Sequence, residues 1–388
     1  MSSYNSRRIR KMRWELPFEL IVEILARVPV KDLARFRCVC KSWLSLFQDE
    51  RFIKQHMSHA PTRIMSFRGW QTQPCHFSFE TSTTTGKQPP EMIVQEVVKL
   101  NIGDEVLLRS SGLIGHCHGL FCLDLEDNTF GIWNPALREF RRIQTRHLNN
   151  WAEMGFGYDH STQDYKLVLV PSMKEGSCSQ AQVLSLKSGV SRLIDFPSLK
   201  NFSMCHMRLP GTLVGQNIYW QVYDRDRKVA LTETILCFDL VSESFSYCPG
   251  PSTSGQGFPH AVVGLTGGLC TVGVDLSCGD LIVWSAQHEK EENTGTIKSW
   301  NKILSLSRDI VVSSVAHQIF NCWLVSAVNY AGLLLFLVGI GGREAKLLAY
   351  NFEDKSLRIV QTSDRCGLLQ TFDSRFYNIC WKSDSILD

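Results

Sequence analysis

The chain has 388 residues, with 41 lysines and arginines against 38 aspartates and glutamates, so its formal net charge at pH 7 is only +3. So small an excess of positive charge indicates no special attraction to nucleic acid. The 14 cysteines are expected to be reduced and mostly buried, because residues 1–13 contain no apolar stretch like that of a secretory signal. We therefore expect an intracellular globular protein, long enough for a small module plus one large domain or two ordinary ones.

Residues 1–13 form a basic tail that can be interpreted in two ways. A cluster of basic side chains is typical of a nuclear-import signal, but a solvated tail before a helix is the commoner explanation. Its basic residues are Arg7, Arg8, Arg10, Lys11 and Arg13.

An apolar stripe runs along the first predicted helix. Leu16, Leu20, Ile24 and Val28 recur at steps of four, so one broad face of a single helix is apolar. Pro17 suits the first helical turn, where no backbone donor is needed. The helix is therefore expected to bury this face against something.

A second predicted helix starts after Pro29, because proline cannot continue the first one. It carries Leu33, Phe36 and Val39 toward Trp43. A unit of about 45 residues is near the size below which a domain rarely stabilises itself without a bound neighbour. The periodicity alone leaves two interpretations open: the stripe packs on the rest of this chain, or it binds a partner.

The order of these residues, from Leu16-Pro17 to Phe52-Ile53 and His56, closely resembles the F-box motif without a gap. The resemblance assigns residues 14–58 to an F-box domain. It implies that the helices pack partly in their own small core and partly on a Skp-type adaptor, which tethers the chain to a cullin-RING ubiquitin ligase. The implied adaptor-binding residues are Leu16, Pro17, Leu20, Ile24, Leu25, Val28, Pro29, Leu33, Phe36, Val39 and Trp43.

After residue 58 the periodicity becomes that of β-strands, and a weak repeat of five hairpins appears. Their central residues, Trp133, Leu184, Phe238, Trp284 and Tyr350, recur at roughly the 50-residue spacing of kelch repeats. Each hairpin follows another predicted strand pair, which indicates four-stranded blades of a β-propeller.

A sixth blade is predicted from residues 63–67, 93–100 and 376–381, with closure by strands from both ends of the domain. Two unrelated β-sandwiches would also contain many short strands, and this alternative stays open. The stretch 310–342 lacks Lys, Arg, Asp and Glu and is long enough to cross a bilayer. Its apolar runs are broken by Asn and Gly, which favours two buried strands joined by a turn at residues 329–332.

Several short motifs lie between residues 114 and 300. They are IGHCHGL at 114–120, WNP at 133–135, GFGYD at 155–159, DYKLV at 164–168, CFDL at 237–240, and Trp284 with a later SW at 299–300. They resemble the F-box-associated domain of the large plant F-box/kelch-repeat family, although His118 stands where Asn or Asp is usual. The resemblance implies an α+β multidomain protein, in which a small N-terminal all-α F-box is followed by an all-β kelch-like β-propeller over residues 59–388.

No common catalytic motif is present: GxSxG, GxxxxGK[ST] and HExxH do not occur in the sequence. The best metal candidate is the cluster of His116, Cys117, His118 and Cys122, because imidazole and thiolate bind zinc. Neighbouring residues of a strand point to opposite faces, so these side chains cannot all converge on one ion without an unusual turn. We expect no cofactor, no metal and no catalytic residue.

The resemblance implies a non-catalytic substrate-recognition subunit of a Skp–cullin–F-box ubiquitin ligase, acting in the cytoplasm, the nucleus or both. Its partners would be the adaptor and a target protein, with no nucleic acid and no membrane. The target surface is expected on propeller loops, with residues 223–228, 249–259 and 288–296 as candidates. The alternative is a propeller enzyme or small-molecule sensor coupled to the F-box.

Overall fold

A computed structural model divides the chain into two compact units, Met1–Ala60 and Pro61–Asp388. The basic tail and the predicted strand at 376–381 lie outside the described residues. The structure describes residues 16–59, 62–67, 75–79, 91–97, 108–125, 129–134, 139–144, 151–171, 180–197, 202–204, 211–224, 234–251, 257–265, 267–275, 278, 280–288, 297–307, 322–330, 333–340, 344–362 and 368–373.

Two prolines set the corners of the first unit. Pro17 and Pro29 each lie immediately before a helix, and their carbonyl oxygens accept the N–H groups of its first turn at 3.0–3.2 Å. Pro17 is thus the cap residue that precedes the predicted helix, and Pro29 separates two helices as predicted. The helices are α1 (Phe18–Leu25), α2 (Val30–Phe36), α3 (Lys41–Leu46) and α4 (Glu50–Ser58).

A small aromatic core holds the four helices together. Phe47 and Phe52 are buried, with ring centroids 5.5 Å apart, and Trp43 continues the series 6.4 Å from Phe47. Leu25 and Leu33 bring α1 and α2 into the same buried set. The core is short, so only one side of α1 can be covered within this unit.

The second unit consists of short strands, as the change of periodicity after the F-box predicts. The strands are β1 (Thr62–Phe67), β2 (Cys75–Phe79), β3 (Glu91–Val97), β4 (Leu108–Cys117), β5 (Leu120–Leu125), β6 (Thr129–Asn134), β7 (Glu139–Gln144), β8 (Trp151–Asp159), β9 (Asp164–Pro171), β10 (Gln180–Ser185), β11 (Ser191–Asp195), β12 (Phe202–Met204), β13 (Thr212–Val214), β14 (Asn217–Asp224), β15 (Thr234–Asp239), β16 (Ser244–Pro249), β17 (Gly257–Leu265), β18 (Gly268–Asp275), β19 (Leu281–His288), β20 (Ile297–Leu306), β21 (Cys322–Tyr330), β22 (Leu333–Ile340), β23 (Glu344–Asn351), β24 (Leu357–Thr362) and β25 (Leu368–Asp373).

These strands form a five-bladed β-propeller, counting each hydrogen-bonded sheet as a blade. The first, second and fourth sheets are meanders of β4–β7, β8–β11 and β17–β20, and the third has the order β12-β14-β15-β16 with β13 paired to β14. All five predicted hairpins are confirmed as antiparallel pairs. The uncharged stretch contains the antiparallel strands β21 and β22, as predicted.

The fifth sheet has eight strands in the order β21-β22-β23-β24-β3-β2-β1-β25. As predicted, the sheet is closed by strands from both ends of the unit, since β1 pairs with β25 over six residue pairs. Strand β2 was not predicted. The prediction of a separate sixth blade was wrong. Strands β24 and β3 pair in parallel at Gln361–Glu91 and Thr362–Met92, and this pairing joins β21–β24 to β3, β2, β1 and β25 in one sheet. The strand from the distal end is Leu368–Asp373.

Contacts between strands close the sheets into a ring. Strand β4 contacts β8, β8 contacts β13, β13 contacts β17, β17 contacts β21, β21 contacts β25, and β1 contacts β4. Buried clusters fill the spaces between neighbouring sheets: Ile132 packs with Phe156 between the first and second, and Val168 with Phe238 between the second and third. This closure distinguishes the propeller from the alternative of two β-sandwiches.

A buried ion-pair cluster links the second and third sheets. The Nζ atom of Lys166, on β9, lies 2.7 Å from Asp159 Oδ2 and 2.6 Å from Glu243 Oε1, and donates to the Leu240 carbonyl oxygen at 2.6 Å. Lys166 is 3% exposed and Asp159 is fully buried. Arg192 binds Glu243 from the solvent side through two hydrogen bonds. One ammonium group therefore ties two blades together.

This cluster makes the stability of the propeller sensitive to acid. Burial alone would raise the pKa of Asp159, but hydrogen bonds from Lys166, Ser161 and Thr162 outweigh burial and hold that pKa well below its usual range. The pKa of Glu243 is likewise lowered, because Arg192 and Lys166 outweigh its burial. Both carboxylates take up protons more readily in the unfolded chain, so their contribution is present above about pH 5 and is lost as pH falls.

We therefore expect the urea midpoint of the propeller to decline as pH is lowered from 7 through the carboxylate range. In an Asp159→Asn variant the decline should be shallower, because one of the two carboxylates no longer titrates. Urea titrations at several pH values, followed by tryptophan fluorescence, measure both slopes. Equal slopes in the two proteins would contradict this account of the cluster.

Candidate functional site

The predicted adaptor-binding residues divide into an exposed, a half-buried and a buried group. Leu25 and Leu33 lie in the core of the helical unit, whereas Val28, Phe36 and Trp43 are half-buried. The exposed members are Leu16, Pro17, Leu20, Ile24, Pro29 and Val39. The helical periodicity identified one apolar set, and the structure divides its members by burial.

The exposed group is strongly apolar. Leu16, Leu20, Ile24 and Val39 are 57%, 49%, 54% and 60% exposed. Residues Leu16, Leu20 and Ile24 are four apart, so the last two lie one turn from each other on α1 and Leu16 precedes them in line. We call the exposed group, Leu16, Pro17, Leu20, Ile24, Pro29 and Val39, the exposed F-box surface.

Phe18 also lies exposed, at 47%, and the sequence reasoning missed it. It is seven residues before Leu25, and therefore on the core side of α1 rather than in the stripe at steps of four. Because it belongs to the first turn, it extends past the core and lines an open groove. The groove is lined by Phe18, Ser42, Ser45, Leu46, Gln48 and Asp49.

Charged side chains beside the exposed F-box surface are solvent-facing pairs. Arg27 Nη1 lies 3.1 Å from Glu23 Oε2, and both side chains are more than half exposed. An exposed pair of this kind contributes at most about 1 kcal/mol, so it does not determine the fold of the unit. The apolar side chains, rather than these charges, are the unusual feature of this surface.

The corner between α1 and α2 is held from a distant part of the unit. His56, on α4, is 1% exposed, and its Nε2 atom lies 2.8 Å from the carbonyl oxygen of Val28. Its ring stacks on Phe52 with centroids 6.0 Å apart. Sequence reasoning placed His56 within the motif without giving it a role, because the contact joins residues 28 positions apart.

On the propeller, four rings pack around the turn between β4 and β5. His118 has a positive φ of 52°, which suits the turn, and its ring centroid lies 4.7 Å from Tyr158 and 5.6 Å from His160. The hydroxyl of Tyr165 is 3.4 Å from His118 Nδ1. Burial, reinforced by the neighbouring His160, lowers the pKa of His118 to about 4. The imidazole is therefore neutral near pH 7 and packs as an aromatic ring.

The two cysteines of the candidate zinc cluster lie in the first sheet. Cys117 and Cys122 are buried, and burial raises the pKa of Cys117 to about 12, which keeps it a thiol. Across the described ranges, no group of three or more His, Cys, Asp or Glu side chains is placed to hold a metal ion. The same ranges contain no helix with the length and apolar character needed to span a membrane.

The candidate target loops fall mostly outside the described residues, which include only 223–224, 249–251, 257–259 and 288 of these three segments. The prediction that the propeller binds the target therefore names no particular loop.

Comparisons with known proteins agree with both units. Residues 82–365 match the family model described as the F-box associated beta propeller domain, and residues 14–55 match the F-box domain. An Arabidopsis thaliana F-box protein is 31% identical over 303 residues, which cover 77% of this chain and 76% of the relative. An F-box/kelch-repeat protein of the same plant is 24% identical and covers 75% of this chain and 79% of its own.

A solved structure of a DUF4784 family protein from Bacteroides caccae covers 80% of this chain and 74% of its own, with 11% identity and a TM-score of 0.41. That likeness carries no functional argument. The F-box associated domain match spans most of the chain, and the F-box match covers its N-terminal unit. The chain therefore belongs to the F-box proteins that carry an F-box associated β-propeller domain.

Proposed function

We propose that this protein is the substrate-recognition subunit of a Skp–cullin–F-box ubiquitin ligase. The exposed F-box surface docks on a Skp-type adaptor, and the propeller holds a target protein for ubiquitination and proteasomal degradation. The observation that carries the proposal is the group of large apolar side chains left exposed in a unit that matches the F-box domain. The protein acts in the cytoplasm, the nucleus or both.

The energetics of the exposed F-box surface support a protein partner. Burying one Leu, Ile or Val side chain contributes about 1.5–3 kcal/mol relative to full exposure. Leu16, Leu20, Ile24 and Val39 are each roughly half exposed, so their burial at an interface contributes several kcal/mol before the cost of association. Large exposed apolar side chains in line on one helix, as Leu20 and Ile24 are on α1, are typical of an interaction site.

The proposed contribution to catalysis is proximity. A propeller that binds a target, joined in one chain to an F-box that binds the ligase, raises the effective concentration of the target's lysines near the ubiquitin-charged enzyme. No bond is made or broken by this chain. The role therefore needs two binding surfaces and no catalytic group.

The test is affinity purification of the full chain from matched cells under proteasome inhibition, with mass spectrometry of the bound proteins. We expect adaptor and cullin with the unmodified chain and neither with a Leu16→Ala/Pro17→Ala variant. A Val190→Ala/Leu193→Ala variant is the matched control, because these two propeller residues are 63% and 60% exposed. It should retain adaptor and cullin.

Target proteins should be recovered with the unmodified chain and with the Leu16/Pro17 variant alike, since the propeller is unchanged. Adaptor binding retained at the level of the unmodified chain by the Leu16/Pro17 variant would refute the assigned surface. Absence of adaptor and cullin from every sample would refute the ligase role itself.

A further inference from the structure

We infer that His56 is a positioning residue for adaptor docking: its imidazole fixes the Val28–Pro29 corner between α1, which carries Leu20 and Ile24, and α2, which precedes Val39. The inference rests on the proposed function. It concerns a side chain that is buried in the helical unit, and we assign its effect to the corner backbone that its Nε2 atom contacts.

The corner is short, and its backbone groups form hydrogen bonds with the end of α1 on one side and the start of α2 on the other. The N–H of Val28 donates to the Leu25 carbonyl oxygen at 3.1 Å, and the Pro29 carbonyl oxygen accepts the N–H of Leu33 at 3.1 Å. The carbonyl oxygen of Val28 lies between these two helix ends and accepts a hydrogen bond from Nε2 of His56 at 2.8 Å. One side chain from α4 therefore holds the peptide group at which the chain changes direction.

The imidazole is suited to this task. A neutral histidine protonated on Nε2 donates one hydrogen bond from the far end of a flat ring. The flat ring stacks on Phe52, which is itself buried, so the direction of the N–H is set by packing. Glutamine has a donor at comparable reach, asparagine is too short, and phenylalanine keeps the ring but has no donor.

The corner determines how the exposed F-box surface is presented. Ile24 lies on α1 before the corner, Pro29 lies at the corner, and Val39 follows α2. Loss of the hydrogen bond leaves a carbonyl group near the core unpaired and lets the corner turn toward other partners. The helices persist, but the spacing of Ile24 relative to Pro29 changes, and an interface with fixed shape loses affinity.

The experiment uses the full chain and a purified Skp-type adaptor, with binding measured by titration calorimetry and local stability measured by hydrogen exchange of residues 16–59. We expect His56→Phe to weaken adaptor binding at least tenfold and His56→Gln to stay within threefold of the unmodified chain. His56→Asn should resemble His56→Phe. The matched control is Phe47→Leu, a buried residue whose ring packs against Trp43 and Phe52.

Phe47→Leu should keep adaptor affinity within threefold even where hydrogen exchange in residues 16–59 is accelerated as much as in His56→Phe. Equal loss of affinity in those two variants would reduce His56 to a purely structural residue and overturn the inference. Wild-type affinity in His56→Phe would overturn it as well. If His56→Phe unfolds the helical unit, the adaptor affinities of His56→Gln and His56→Asn are compared instead. Equal affinities of these two variants overturn the inference. Failure of the unmodified chain to bind the adaptor would instead refute the proposed function.

Discussion

Replacing Leu20 with Glu and Ile24 with Lys is expected to weaken adaptor binding more than about a hundredfold, while helix α1 stays at least as stable as before. The two side chains are about half exposed, so charged replacements cost the fold little. A Glu and a Lys four residues apart in this order stabilise a helix by about 0.2–0.5 kcal/mol. At an interface, two half-exposed apolar anchors contribute about 1.5–3 kcal/mol together, and burying two unpaired charges in their place costs several kcal/mol more. The total exceeds the roughly 2.7 kcal/mol that corresponds to a hundredfold change.

The measurement is the dissociation constant of the full chain for a purified Skp-type adaptor. Val190→Glu/Leu193→Lys introduces the same pair of charges at two exposed apolar residues of the propeller, and it should bind the adaptor like the unmodified chain. A less than tenfold effect of the Leu20/Ile24 pair, with intact circular dichroism, would remove these residues from the docking surface.

Replacing Lys166 with Met is expected to destabilise the propeller by about 3–5 kcal/mol, the usual range when one partner of a buried ion pair is removed. Methionine has similar length but no charge, so Asp159 loses its buried counter-ion and Glu243 loses Lys166 while it keeps Arg192. The Leu240 carbonyl oxygen also loses its donor from the second sheet. The free energy of unfolding from urea titration at pH 7 measures the effect.

Arg192→Met is the matched control, because Arg192 binds the same carboxylate but is 57% exposed. An exposed pair is worth at most about 1 kcal/mol, so this variant should lose far less stability than Lys166→Met. Similar losses in both variants would mean that burial does not set the strength of this cluster.

Much of the propeller could be predicted from the sequence, because a hairpin is a local structure. The motif around Trp133 and the one around Phe238 each contain two alternating strands and the turn between them, so their pairing follows from neighbouring residues. The same reasoning placed two strands in the uncharged stretch around residues 329–332. It could not yield the parallel pairing of Thr362 with Met92, because no local pattern records which distant strand edge lies alongside.

The candidate site was predicted as a set of apolar residues, without a division into core and surface. The sequence shows that Leu20, Ile24 and Leu25 are apolar, but which of them is covered depends on how the four helices pack. The role of His56 could not be predicted either, because it depends on a backbone carbonyl group and not on the identity of Val28.

The pairing of β1 with β25 also orders the events of biosynthesis. The ribosome delivers the helical unit and β1 early, whereas β25 follows only after almost the entire propeller has been made. Until then β1 has an unpaired edge, which is a template for association with other chains. A chain that stops before Leu368 would keep this edge open although its F-box is complete. Completed translation is therefore what gives this protein a closed ring, and truncated products are expected to be prone to aggregation.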